Sequence, residues 1–178
     1  HTLRSLIAQE LNPQIWQWQI STTKHAGHAT ELSKEAIGHF DVVVAVGGDG
    51  TVNEVASGLV DSDTLMAIIP AGSGNGLARH LNIPLKVSRA IQMLNQCEEQ
   101  RIDSILINGK YSFNVSGVGF DGQISHLFAQ VKKRGPLGYI KLITQEFPKY
   151  KSQSYTIEVD GNRFNRDAFL ISFANSSQ

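Results

Sequence analysis

Only one cysteine, Cys97, occurs in 178 residues, so no intrachain disulfide can form, which fits a reducing compartment and a cytoplasmic location. Net charge is missing too. Sixteen basic residues balance sixteen acidic ones, which argues against a nucleic-acid partner and against a strongly basic membrane-binding surface. No apolar run reaches the roughly 18 residues of a bilayer-spanning helix, and no secretory signal precedes the first helical pattern. Fixed-period repeats and low-complexity tracts are also absent. The chain opens at His1 without a methionine and closes at Gln178 just past a strand-like run, so both ends are expected to be cuts in a longer protein. What remains is 41% hydrophobic and 18% charged, enough for a packed core in one domain, or in one domain and part of a second.

Residues 3–11 alternate as a short amphipathic helix. Residues 14–21, with Ile15, Trp16, Trp18 and Ile20, predict a strand, and 27–38 a second helix with Ala29, Leu32, Ala36 and Ile37 near helical spacing. Residues 41–46 are β-branched and apolar at successive positions, as in a strand buried on both faces. Three glycines around Asp49 follow, then a helix over 51–59, a short buried strand at 65–69, a small-residue loop at 71–75, and helices at 76–81 and 86–96. This repeated β-α order predicts a Rossmann-like α/β domain over 1–101, a parallel sheet with helices on its faces. Beyond it the texture changes. Strands are predicted at 102–107, 110–119, 154–159 and 168–174, with Asn108-Gly109 and Asp160-Gly161 as hairpin turns and a helical insert at 121–147. Residues 102–178 thus read as the start of a second, mostly antiparallel β-rich domain.

The most informative stretch is VVAVGGDGTVNEV at 43–55. A buried strand runs into Gly47, Gly48 and Gly50 and then into a helix N-terminus. Glycine lets phosphate oxygens approach the amides with no Cβ in the way, and unpaired helix N–H groups favour an anion there. Thr51 is expected to cap that helix, with Glu54 at capping-box spacing. No lysine follows the glycines, so this is not the GxxxxGK[ST] loop, and Asn53 stands where GxGxxG needs its third glycine. Asp49 would repel a phosphate unless it works through a metal ion or accepts a proton; its bland reading is a turn residue. A second strand-loop-helix stretch, IPAGSGNGLARHL at 69–81, would place another small-residue loop at the carboxyl end of a neighbouring strand, where ligands of open α/β sheets bind.

GGDGTVNEV at 47–55, PAGSGNGLARHL at 70–81, TKHAGHA at 23–29, RID at 101–103, FNVSGVGFDG at 113–122 and KKRGPLGY at 132–139 together resemble the diacylglycerol kinase catalytic-domain family, over nearly all of the chain from about Thr22. GGDGT alone is shared with NAD kinases and, loosely, phosphofructokinases; the PAGSGN and GFD segments separate the lipid kinases from both. The resemblance implies a two-domain, ATP- and Mg2+-dependent lipid kinase with the nucleotide between its domains, and a lipid substrate met at a membrane surface. It implies that Thr23, Lys24, His25, Ala26 and Gly27 touch the nucleotide, and that Gly47, Gly48, Gly50, Thr51 and Asn53 wrap its phosphates with Glu54 close by. Ser73 and Arg134 would also reach the nucleotide, Asp49 would be the catalytic carboxylate, and Asp121 would orient the lipid head group. The family's usual first strand with its Ser-Gly loop and its C-terminal acidic residues have no match here, which implies that this stretch does not catalyse alone. Gly122 stands where GFD is usually followed by alanine.

Other residues carry less. His25 and His28 lack a visible third metal ligand, so no metal site is expected from them. Lys132, Lys133 and Arg134 read as a solvated cluster, with weak attraction to anionic lipid as the sharper alternative. Trp16 and Trp18 read as packing residues, Asn114, Ser116 and Asn175 as turn or sheet-edge residues, and Cys97 as inert. Homodimerisation stays open. Two other functions remain in play: a soluble-substrate kinase of the NAD kinase type, and a non-catalytic module that binds nucleotide or lipid.

Overall fold

The computed structural model describes residues 2–96, 98–129 and 136–175. They pack as two units: one holds the residues up to Asn114 together with Asn175, the other those within Val115–Ala174.

In the first unit the order is α1 (Leu3–Glu10), α2 (His28–Ala36), β1 (Val42–Gly47), α3 (Asp49–Leu59), β2 (Leu65–Pro70), α4 (Gly76–His80), α5 (Val87–Leu94) and a hairpin of β3 (Ile105–Ile107) and β4 (Lys110–Ser112). Strands β1 and β2 run parallel, with Val42 opposite Leu65 and Gly47 opposite Pro70. Their side chains alternate between two apolar clusters. Val43, Ala45, Met66 and Ile68 face the cluster built with α2 and α3, whereas Val44 and Ile69 face the one built with α1 and α5. That period of two explains why the run needed to be apolar at every position. Helix α3 buries Val52, Val55, Ala56 and Leu59, one stripe at i, i+3, i+4 and i+7. Gly58 on the same helix lets α2 come close: a Cβ there would overlap the Ser33 hydroxyl and lie 2.8 Å from Thr30 O.

Three expectations need correction here. Residues 14–21 form no strand, and Ile15, Trp18 and Ile20 stay exposed. A strand needs a ladder partner, and among the described residues β1 and β2 pair only with each other. The 105–112 hairpin packs on α3 within the first unit, where Asn53 Nδ2 donates to Tyr111 O at 3.2 Å, so contacts divide after Asn114 rather than after Arg101. The single strand expected over 110–119 is two. Strand β4 pairs with β3, whereas Val115–Gly119 (β5) pairs with Leu170–Ala174 (β8), and Phe113 between them turns into the first unit's core.

The second unit continues from β5 through α6 (Phe120–Ala129), α7 (Pro136–Glu146) and a 3-10 turn at Phe147–Lys149 to β6 (Gln153–Val159), β7 (Asn162–Ala168) and β8. Strands β6 and β7 form an antiparallel ribbon about Asp160 (φ 51°) and Gly161 (φ 76°). Asn108 (φ 48°) and Gly109 (φ 76°) turn the first hairpin in the same way. Two positive-φ residues in each turn are the conformation that Asn-Gly and Asp-Gly favour. Phe169 interrupts the run expected over 168–174, and its ring packs with Phe120, Phe147 and Tyr150. No described helix is long and apolar enough to cross a membrane.

Candidate functional site

The two glycine-bearing loops meet at the carboxyl ends of β1 and β2. Ala71 N donates to Gly47 O at 2.8 Å, and a Cβ added at Gly72 would overlap Gly48 Cα. Glycine at 72 lets the two backbones touch, and at Gly48 an added Cβ would be tight, 3.1 Å from Gly72 Cα. Asn75, in the left-handed region at φ 54°, closes the second loop on itself. Its Oδ1 accepts from Gly72 N at 2.9 Å, and its Nδ2 donates to Gly72 O at 2.8 Å.

Asp49 joins the loops. Its Oδ2 accepts from Asn75 N at 2.9 Å and its Oδ1 from Gly76 N at 2.6 Å, so the carboxylate caps the start of α4. A Cβ at Gly74 would lie 2.7 Å from Asp49 Oδ2, so a side chain there would push the carboxylate out of this position. Asp49 remains exposed, and each oxygen keeps a second lone pair. Helix α3 itself begins at Asp49 with Gly48 as its N-cap, two residues earlier than expected. Thr51 is therefore inside the first turn and caps nothing. Its side chain lies over Gly47 instead, where a Cβ would meet Oγ1 at 2.6 Å. The first amides of α3, at Asp49, Gly50 and Thr51, have no acceptor within their own helix. The space beside Gly50 is open, with no atom within 4 Å of an added Cβ.

Glu54 does not reach back to Thr51. Its two oxygens accept from Gly27 N at 3.0 Å and Ala29 N at 3.2 Å, and Thr30 Oγ1 donates to Glu54 O at 2.9 Å. The carboxylate thus caps α2, whose N-cap, Gly27 (φ 84°), has no side chain to do so. Thr23, Lys24, His25 and Ala26 precede this cap and are exposed. Asn53, expected at the phosphates, has its amide nitrogen committed to Tyr111 O. Ser73 is exposed in the second loop. Gly72 and Asn75 are the residues the sequence reading passed over; the signal was an asparagine after small residues at a strand-to-helix turn, a place for left-handed backbone.

Asp121 belongs to the second unit. It stands in the first turn of α6 with its carboxylate over Gly117, where a Cβ would meet Oδ2 at 2.6 Å. Burial, and then the Asp121 carboxylate, hold the Tyr139 phenol above its ordinary pKa, so the two side chains are near neighbours. Arg134, like Lys132, Lys133 and Cys97, lies outside the described residues.

His25 and His28 do acquire a neighbouring carboxylate in Glu31, and the three potential ligand atoms lie within 4.8 Å of one another. His28 Nδ1, however, accepts from Lys24 N at 2.9 Å, which in the neutral ring leaves a proton on Nε2 and no spare lone pair. The cluster as built offers a metal ion only His25 and Glu31.

Magnesium and a nucleotide triphosphate, which the resemblance implies, meet a donor set that suits them. The open backbone at Gly50 and the first-turn amides of α3 would meet phosphate oxygens, and the exposed Asp49 carboxylate beside them would suit a Mg2+ ion held mainly by phosphates and water.

Comparison with known proteins gives a family and a fold. Residues 1–107 match the family model described as the diacylglycerol kinase catalytic domain. A curated diacylglycerol kinase of Bacillus subtilis (strain 168) is 31% identical over 181 residues, covering 96% of this chain and 59% of its own length. One from Staphylococcus saprophyticus is 30% identical over 162 residues, covering 88% of this chain and 53% of its own. The chain therefore spans a little over half of these relatives. A solved structure described as a diacylglycerol kinase of Bacillus anthracis str. Sterne shares the fold at TM-score 0.68 and 24% identity, over 97% of this chain and 59% of that one. Another from the same organism reaches a TM-score of 0.73. The chain belongs to the diacylglycerol kinase catalytic domain family.

Proposed function

We propose that the full-length protein carrying this chain is a lipid kinase that moves the γ-phosphoryl group of ATP to a hydroxyl of a diacylglycerol or a sphingoid base. One observation carries the reading: two glycine loops in backbone contact, with the first turn of α3 open at their junction and Asp49 fixed beside it. Phosphoryl transfer asks the protein for positioning and charge stabilisation more than for covalent chemistry. The amides of Gly50 and Thr51 would bind phosphate oxygens along the α3 dipole. Gly48 and Gly72 keep side chains out of that space. Thr23 to Gly27 and Ser73 would hold the rest of the nucleotide. Mg2+, when bound, supplies neutralisation of phosphate charge, and Asp49 is the residue that would hold it. Asp49 can alternatively accept the acceptor hydroxyl's proton through its unused lone pairs. Asp121 would orient the lipid head group, and Arg134 would contact the phosphates. Contact with a membrane surface follows from the substrate class.

The test is a lipid-panel assay on the full-length protein with Mg2+ and labelled ATP, the product being identified by mass spectrometry. A phosphorylated lipid is expected. Transfer to NAD with none to lipid would move the assignment to the soluble-substrate kinases. Nucleotide binding by calorimetry without transfer to any acceptor would leave a binding module.

A further inference from the structure

Helix α3 carries two carboxylates five residues apart, and neither serves its own helix. Asp49 caps α4, whereas Glu54 spans 27 residues of sequence to take the amides of Gly27 and Ala29. We infer that Glu54 is a positioning residue: it fixes the turn at 27–29 so that the exposed segment 23–26, which precedes that turn, is held in one place against α3. This rests on the reading of segment 23–27 as a nucleotide contact.

Three observations support it. Each Glu54 oxygen accepts from one backbone amide of the 27–29 turn, so the side chain ties that turn to α3 before any ligand arrives. Gly27 stands at the α2 N-cap in the left-handed region with no side-chain cap, so the start of α2 depends on a group from elsewhere. The Glu54 carboxylate also takes the Gly27 and Ala29 amides at the start of α2, whereas the Gly50 and Thr51 amides of α3 have no acceptor within their own helix and stay available to a phosphate. The division of labour is then specific. The α3 start receives the triphosphate, and the segment that Glu54 fixes receives the adenosine end.

That division can be read out. In the full-length protein Glu54→Ala removes both acceptors. Glu54→Gln keeps one and places an NH2 group against the other amide. Affinity for ATP is expected to fall about tenfold in the alanine variant and roughly threefold in the glutamine variant, with kcat little changed. Affinity for inorganic tripolyphosphate, which lacks the adenosine end, should be unchanged in both. Hydrogen exchange at the Gly27 and Ala29 amides should quicken in both variants while the β1 and β2 amides keep their protection. Equal losses for ATP and tripolyphosphate, or unchanged exchange at Gly27 and Ala29, would overturn the inference. Failure of the wild-type protein to bind ATP would sink the kinase reading instead, and exchange at the two amides still decides whether Glu54 holds the turn.

Discussion

Gly72 in the first unit and Gly122 in the second both lie beside a residue proposed to meet a ligand, yet only Gly72 has to be glycine. A methyl group at Gly72 would run into the Gly48 backbone, which has no side chain to swing aside. A methyl at Gly122 would meet only Gly117 O, at 3.6 Å, an ordinary contact. The contrast extends to the packing around them. The first unit has two buried clusters, one on each face of the β1–β2 pair, and two carboxylates that each tie a loop to α3. In the second unit the β6–β7 ribbon is largely exposed, and the order comes from aromatic rings around Phe120 and Phe169. A site that must present several amides at once tolerates little slack, and the first unit is built with little.

Substitutions can break this contrast, beginning with the largest effect. Gly72→Ala is expected to destabilise the first unit by about 2–3 kcal/mol, as overpacking of backbone against backbone does, and to remove detectable ATP binding. Chemical denaturation and calorimetry check it; a stable variant that still binds ATP would mean the loops can part. Asp49→Ala should lose roughly 1–2 kcal/mol, because the Asn75 and Gly76 amides lose their cap, and turnover should vanish with it. Alanine alone therefore cannot separate catalysis from structure. Asp49→Asn keeps one acceptor and should lose roughly half as much stability, so abolished turnover in that variant would isolate the carboxylate's chemical role. At the small end, Gly122→Ala should stabilise the protein by about 0.5–1 kcal/mol, since α6 gains a better helix former in free space, with activity unchanged. A destabilised Gly122→Ala would mean that the second unit is packed as tightly as the first.

Much of the fold was legible because its signals are local. Val52, Val55, Ala56 and Leu59 announce α3 by spacing alone, and Asn108-Gly109 and Asp160-Gly161 announce their hairpins because few residues accept two successive positive φ angles. The strand expected at 14–21 failed for a non-local reason, the lack of a described ladder partner. The break at Phe113 was hidden because its neighbours on both sides are strand formers, and only competition between two sheets and the core placed it.

The candidate site divides along the same line. The order and spacing of its glycines, and the presence of Asp49 and Glu54 among them, were decided by the sequence, since backbone freedom and charge belong to the residue itself. Which donors those carboxylates serve was decided only by tertiary structure. A carboxylate takes the unpaired N–H groups nearest in space, and here those lie at the starts of two other helices, 26 residues downstream for Asp49 and 27 upstream for Glu54. A capping box at Thr51 and Glu54 was a fair local expectation. Starting α3 two residues earlier, at Asp49 with Gly48 as its cap, moved Thr51 out of reach and released Glu54 to hold α2.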